Sequence, residues 1–146
     1  MSVFDQTDSE SIPSPEMPYM THMTRNTLPL LNEVRHALKR LVRTGESTII
    51  DLRAIPFGPG DEEHLLDLLG QGEVMATLDA LGKTTVKESR FSGVWIVDHY
   101  NSEAERIAFQ IEVIEIPELL RAQADDMYES LEKLDTVLDV EMHRPE

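Results

Sequence analysis

The stretch LLGQGEVMATLD, Leu68–Asp79, decides how the rest of the chain is interpreted, because it places two glycines at a junction. Glycine turns that hold a dinucleotide phosphate lie between a strand and the following helix, and they carry a third glycine. Here a helical pattern precedes Gly70 and Gly72, a strand pattern follows them, and Met75 stands at the third glycine position. The pair therefore predicts a helix end and a tight turn, not a nucleotide site.

Four segments with strand composition follow this turn, separated by short polar joints. Short joints connect antiparallel neighbours, so the sequence predicts a meander. Its strands are expected at Glu73–Leu81, Thr84–Phe91, Gly93–Tyr100 and Glu105–Ile116. In the last segment apolar residues alternate from Ile107 to Val113 and then shift to Ile114 and Ile116, which indicates one buried face and a β-bulge.

On the other side of the junction, apolar residues recur at helical spacing after Asn26 or Thr27, up to a stop at Gly45. The exposed face of this predicted helix is basic, on an otherwise acidic chain. STIIDLRAI, Ser47–Ile55, predicts a buried strand, and Asp61 is expected to cap a short helix that ends at Gly70.

Pro117 opens a last predicted helix, whose apolar residues alternate spacings of four and three. Two interpretations are open: the helix lies on the sheet with its acidic face in water, or it pairs with another chain. The stripe consists of Leu120, Ala124, Met127, Leu131, Leu134 and Leu138.

These elements predict an α+β fold: an antiparallel or mixed sheet of about five strands, with two longer helices and one short helix packed on it. We expect a disordered N-terminal tail over residues 1–26, where prolines stand among serines and acids. A single domain is expected over residues 27–140, followed by a C-terminal tail over residues 141–146.

Composition excludes several function classes. The formal net charge is −15 and the pI about 4.6, which argues against a nucleic-acid partner. Cysteine is absent, so disulfides, thiolate nucleophiles and cysteine-ligated metals are excluded. No apolar run approaches the roughly 20 residues that span a bilayer, and the N-terminus is polar and acidic. We therefore expect a cytoplasmic protein without membrane insertion.

Catalytic patterns are weak. The five histidines lack the spacing of metal ligands, and no serine lies in a G-x-S-x-G motif, so we predict no catalytic residue, no metal and no cofactor. Asp51 in an apolar strand needs a partner, either Arg53 in an ion pair or a nearby backbone group that it caps. Asp51, Asp98 and His99 define a less favoured alternative, a small enzyme or metal-handling protein. Trp95 is either a core residue or an interface anchor.

Five stretches, taken in order, resemble the HupH/HyaF family of hydrogenase expression/formation proteins: LPLLNEVRHAL, TIIDLRAIPFGPGD, LLGQGEVMATL, KESRFSGVWIV and IEVIEIPELLRAQADDM. The resemblance runs from about Leu28 to Leu134. Its most specific parts are LLG-x-GEV, the E-x-x-F-x-G-[VL]-W element, and the IPE entry to the last helix. Gln71 departs from the acid that the family usually places between the two glycines, and the chain matches one copy where some members carry two related halves.

The resemblance implies a chaperone-like accessory protein for the maturation of uptake [NiFe] hydrogenases. The expected partners are the precursor of the iron–sulfur small subunit, before its export by the twin-arginine route, and other maturation factors. A homodimer is a further expectation, because two single-copy chains could together restore the paired surface of the two-half members. The alternative function is an acidic homodimeric interaction module or regulatory module. The residues expected at the partner surface are Gly70, Gly72, Glu73, Glu88, Phe91, Gly93 and Trp95.

Overall fold

The computed structural model describes residues 26–79 and 81–146. The predicted tail over residues 1–26 therefore lies outside the described residues, apart from Asn26. Within the described chain, the β-rich segments form one five-stranded antiparallel sheet with the order β1-β5-β4-β3-β2. The strands are β1 (Thr48–Asp51), β2 (Met75–Asp79), β3 (Lys83–Glu88), β4 (Val94–Tyr100) and β5 (Arg106–Val113). The predicted meander of β2 to β5 is confirmed.

In the part of the chain that the structure describes, three α-helices accompany the sheet: α1 (Thr27–Thr44), α2 (Asp61–Leu69) and α3 (Ala124–Met142). The predicted α+β fold is thereby confirmed. The first helix ends as expected, because Gly45 adopts a left-handed φ of 76° and donates its N–H to the Leu41 carbonyl. In the described parts of the chain, no helix is long and apolar enough to cross a membrane.

The main core lies between one face of the sheet and the first two helices. Alternate residues of β4 and β5 point to this face, where they meet the inner side of α1 and the apolar side of α2. Its fully buried members include Ala37 from α1, Leu65 and Leu69 from α2, and Val94 and Ile111 from the strands. This packing positions the C-terminal end of α2 above β4.

The opposite face of the sheet carries a smaller apolar cluster. Val86, Trp95 and Val97 are buried there, and Leu120 packs against them from a short 3₁₀ turn, Glu118–Leu120. The indole N–H of Trp95 donates to the Ile114 carbonyl at 3.0 Å. The alternation along β4 therefore supplies both clusters, with Val94 and Ile96 on one face and Trp95 and Val97 on the other.

The prediction of a buried strand over Ser47–Ile55 is wrong in the length of the strand and in its position in the sheet. β1 has only four residues and forms a sheet edge, since it pairs with β5 alone. The Asp51 carboxylate accepts the backbone N–H of Arg53 at 2.9 Å and so caps a 3₁₀ turn, Leu52–Ala54, which ends the strand. Of the two roles considered for Asp51, capping is the one that the structure has.

Two further local predictions are wrong. Asp61 does not cap α2, because the N-cap position is Gly60; Asp61 is fully buried as the first helical residue and accepts the Gly58 N–H at 2.9 Å. The expected bulge near Ile114 is also absent from the described structure, because β5 ends at Val113. The register shift lies instead in β4, between His99 and Tyr100.

The last helix differs most from expectation. It begins at Ala124 and not at Pro117, so Leu120 belongs to the preceding 3₁₀ turn. No residue of α3 is buried, and the expectation that this helix lies on the sheet is wrong. Its apolar stripe is therefore open: Met127, Leu131, Leu134 and Leu138 are each more than half exposed.

Candidate interaction surface

The turn that follows α2 is bound to the end of β3 by backbone hydrogen bonds. Gly72 donates to the Glu88 carbonyl at 2.8 Å, and Glu88 donates to the Val74 carbonyl at 2.9 Å. Arg90 donates to the Leu69 carbonyl at 2.8 Å, which ties the last residue of α2 to the same loop. The Glu88 carboxylate also accepts the N–H of Glu73 at 3.0 Å. Residues from two family-like motifs thus form one closed turn.

Both glycines of this turn are needed for physical reasons. Gly70 has a left-handed φ of 63°, and a Cβ there would lie 3.1 Å from Arg90 Cδ. A Cβ on Gly72 would overlap the Glu88 carboxylate and lie 2.5 Å from the Ser89 carbonyl oxygen. The chain must therefore approach β3 more closely than any side chain at these positions allows.

Beyond β3, the chain presents an exposed aromatic side chain. The Ser89 hydroxyl accepts the N–H of Phe91 and donates to its carbonyl, which fixes this loop locally. The Phe91 ring is 42% exposed, and the Arg90 guanidinium lies 5.0 Å from its centre. Val74 and Met75, at the same end of the β2–β3 ladder, are also exposed. These side chains form an apolar margin beside the turn.

Two of the residues expected at the partner surface are not freely exposed: Trp95 is buried and Gly93 is half-buried. Trp95 is only 5% exposed and belongs to the second apolar cluster. Gly93 has a φ of 89° and faces Leu38 and Leu41 of α1, so it permits close packing of the β3–β4 loop under that helix. Both residues support the surface from beneath, whereas Glu73 and Phe91 can reach a partner.

An open groove of about 340 Å³ lies next to the turn, between the C-terminal half of α2 and strands β3 to β5. Ile96 and Phe109 form its apolar floor, and Gly70 and Gln71 belong to its wall. Charged side chains line its rim: Asp67 from α2, Lys87 from β3 and Asp98 from β4. A groove with an apolar floor and a charged rim can hold a peptide segment.

Arg106 organises the side of this groove at Asp98. Its guanidinium donates two hydrogen bonds to Asp98, at 3.0 and 2.9 Å, and one to Glu62 of α2 at 2.9 Å. It also lies 4.1 Å from the centre of the Phe109 ring. Burial alone would lower the pKa of Arg106, but the hydrogen bonds and charges of Asp98 and Glu62 outweigh it and raise that pKa. Arg106 therefore stays charged and joins α2 to the sheet.

No sequence motif marks Arg106. Its partners lie 8 and 44 residues away along the chain, and only the strand order brings them together. Arg106 is the first residue of β5, and no short-range motif links Arg106 to Glu62.

The alternative site at Asp51, Asp98 and His99 does not assemble. Asp98 faces the groove and pairs with Arg106, whereas His99 is hydrogen bonded to Thr84 on the opposite face. Asp51 caps its own 3₁₀ turn at the sheet edge. Throughout residues 26–79 and 81–146, no group of three or more histidine, aspartate or glutamate side chains is arranged to hold a metal ion.

Comparisons with known proteins all lead to hydrogenase expression proteins. A protein-family model described as "HupH hydrogenase expression protein, C-terminal conserved region" matches residues 24–141. The hydrogenase expression/formation protein HoxQ of Azotobacter vinelandii is 31% identical over 111 residues, which cover 75% of this chain and 39% of HoxQ. The protein HupH of Rhizobium leguminosarum bv. viciae is 29% identical over 109 residues, with the same coverage. The chain thus spans about two fifths of the length of these curated relatives.

A solved structure has the same fold. The hydrogenase expression protein HupH from Thiobacillus denitrificans superposes with a TM-score of 0.77 at 38% sequence identity. The match covers 80% of this chain and 98% of that one.

Proposed function

The chain belongs to the family of HupH hydrogenase expression proteins, and from this premise we propose that it is an accessory protein of hydrogenase maturation. In this role it binds an immature hydrogenase subunit and releases it unchanged. The names of its relatives, which are hydrogenase expression/formation proteins, support the pathway. We assign it no catalytic residue.

The client that we propose is the precursor of the iron–sulfur small subunit, held in the cytoplasm before export, with other maturation factors as further partners. A chain without cysteine can shield the cluster ligands of a client but cannot compete for the cluster with thiolates of its own. Chaperone-like binding is consistent with that composition.

The observation that carries the proposal is the groove beside the Gly70–Glu73 turn. The residues that resemble the family most specifically shape this place: Gly70 lines the groove, and Gly72 and Glu88 close the turn that borders it. Phe91, Val74 and Met75 add exposed apolar surface at the adjacent end of the sheet. Exposed aromatic and methionine side chains are typical of binding surfaces that accept irregular partners.

The groove suits an extended, partly apolar segment better than a compact small molecule. It is open to solvent, its floor is apolar and its rim carries both signs of charge. An incompletely folded subunit exposes such segments, and a folded one buries them. Binding at this site would therefore end when the client completes its fold.

Identification of co-purifying proteins tests the proposal. The chain, tagged and expressed in cells that produce an uptake hydrogenase, is expected to recover the unprocessed small subunit. The matched control is a strain without the small-subunit gene. From this strain the tagged chain should recover the same proteins except the small subunit. Recovery of the large subunit only would overturn the proposed client, and recovery of no hydrogenase component would overturn the proposed function.

A further inference from the structure

The helix α3 has an apolar side that nothing in the described chain covers. Its stripe of Met127, Leu131, Leu134 and Leu138 is 52 to 58% exposed at each residue. Tertiary packing supplies most of the stability of helices in proteins, yet none of the 19 residues of α3 is buried. An amphipathic helix of this kind is typical of a partner-bound element.

The charge of α3 restricts the kind of partner. The helix carries seven carboxylates and one lysine, a net charge of −6. Its ion pairs are local, such as Lys133 with Glu129 at 3.3 Å. They leave Asp125, Asp126, Glu132 and Asp135 without a cation among the described residues. A second acidic helix would be repelled, whereas a basic one would be attracted.

The outer side of α1 has the complementary character. A shallow groove of about 370 Å³ runs along it, lined by Leu38 and Val42 and by the basic side chains of Arg35, Lys39 and Arg43. Val42 is 79% exposed. None of these three cations forms an ion pair within the described chain. The helix has a net charge of +3, and its 18 residues match the length of α3.

We propose that α3 of one chain docks along the α1 groove of a second copy, and that the reciprocal contact forms a two-fold dimer. The apolar stripe of α3 then covers Leu38 and Val42, and its carboxylates face Arg35, Lys39 and Arg43. Because the dimer is symmetric, the contact is made twice, which doubles the apolar surface that is buried.

Pairing of α3 with α3 from the second copy is the competing arrangement. It would bring two charges of −6 together and leave the cations of α1 in water. The two arrangements respond in opposite ways to ionic strength. Added salt screens attraction between α3 and α1 and weakens that dimer, whereas it screens repulsion between two α3 helices and strengthens that one.

Sedimentation velocity of the full 146-residue chain over a concentration series is the test. The wild type is expected to be a dimer whose Kd rises at least about threefold when sodium chloride is raised well above physiological strength. Leu134→Asp and Val42→Asp are each expected to raise Kd at least about tenfold, since each buries an unpaired carboxylate. Val140→Asp, an exposed valine on the side of α3 opposite the stripe, is the matched control and should stay dimeric.

A mixing experiment completes the test. Equal amounts of the Leu134→Asp and Val42→Asp variants should form a heterodimer, because one intact α3–α1 contact remains in the mixture. Circular dichroism of each variant checks that the fold is kept. A monomeric wild type at the highest concentration overturns the proposal, as does a Val42→Asp variant that remains dimeric or a dimer that tightens with salt.

Discussion

Gly72 lies directly against Glu88, so closely that a methyl group on Gly72 would overlap the Glu88 carboxylate. The same carboxylate accepts the N–H of Glu73, and the Glu88 carbonyl accepts the N–H of Gly72. Two motifs separated by 15 residues therefore depend on each other. Together the two motifs form the turn that borders the groove. Shaping this turn is enough to explain why glycine stands at 72 and glutamate at 88.

Gly72→Ala should destabilise the fold by about 1–3 kcal/mol, the usual cost of overpacking, because the Ser89 carbonyl oxygen would stand 2.5 Å from the new Cβ. Gly45→Ala is the control, since its Cβ meets nothing within 4 Å and only its positive φ is strained, at a cost of about 1 kcal/mol. Asparagine tolerates a positive φ, so Gly45→Asn should recover part of that loss, whereas Gly72→Asn should be no better than Gly72→Ala. Urea unfolding measures all four variants; equal losses at both sites would show that Gly72 is not sterically confined.

Glu88→Ala should cost about 1 kcal/mol of unfolding free energy, because the N–H of Glu73 loses its acceptor. Glu88→Gln keeps a side-chain oxygen at the same reach and should lose less than half as much. Denaturant midpoints compare the two variants. If glutamine is as destabilising as alanine, the carboxylate charge and not the hydrogen bond stabilises the turn.

Arg106→Met should destabilise the fold by about 1–3 kcal/mol. The methionine keeps packing against Phe109, but it leaves Asp98 and Glu62 near each other without their shared cation. Replacing all three residues together, with Asp98→Asn and Glu62→Gln added, should recover part of the loss because the like charges are removed. Thermal unfolding compares the stability of the single and the triple variant. A triple variant that is less stable than Arg106→Met would contradict this explanation.

Trp95 is the only tryptophan in the chain, so its fluorescence reports on one site. Its ring is buried and its indole N–H is hydrogen bonded to the Ile114 carbonyl. The folded protein should emit at shorter wavelength than the unfolded one and resist quenching by acrylamide. Strong quenching of the folded protein would show that the second apolar cluster is open to solvent.

The fold was predictable where local pattern and packing agree. Gly45 and Gly70 end helices as their sequence context indicated, and the alternation of Phe109, Ile111 and Val113 was correct for the buried face of β5. Ile107 shares that alternation but is 47% exposed, because it lies at the start of the strand. Periodicity reports which side a residue faces, and it does not report whether anything covers that side.

The same limit explains the error at α3. Its spacing predicted an apolar stripe correctly, but the sequence could not show that the sheet face was already filled by Leu120 and Ile114. In the candidate site, local turn chemistry pointed to Gly70 and Gly72, whereas Arg106 and the groove depend on strand order. That order pairs β1 with β5 across more than 50 residues, which no local pattern contains.

Direct binding of the purified small-subunit precursor to the groove tests the central claim. Lys87 lies on the groove rim, whereas Lys83 is an exposed lysine of the same strand outside it, so Lys87→Glu and Lys83→Glu make the same charge change at two places. Isothermal titration is expected to show binding by the wild type and by Lys83→Glu, with Kd raised at least about tenfold for Lys87→Glu. Equal affinity of the two variants would contradict the groove as the binding site, and no binding by the wild type would contradict the client.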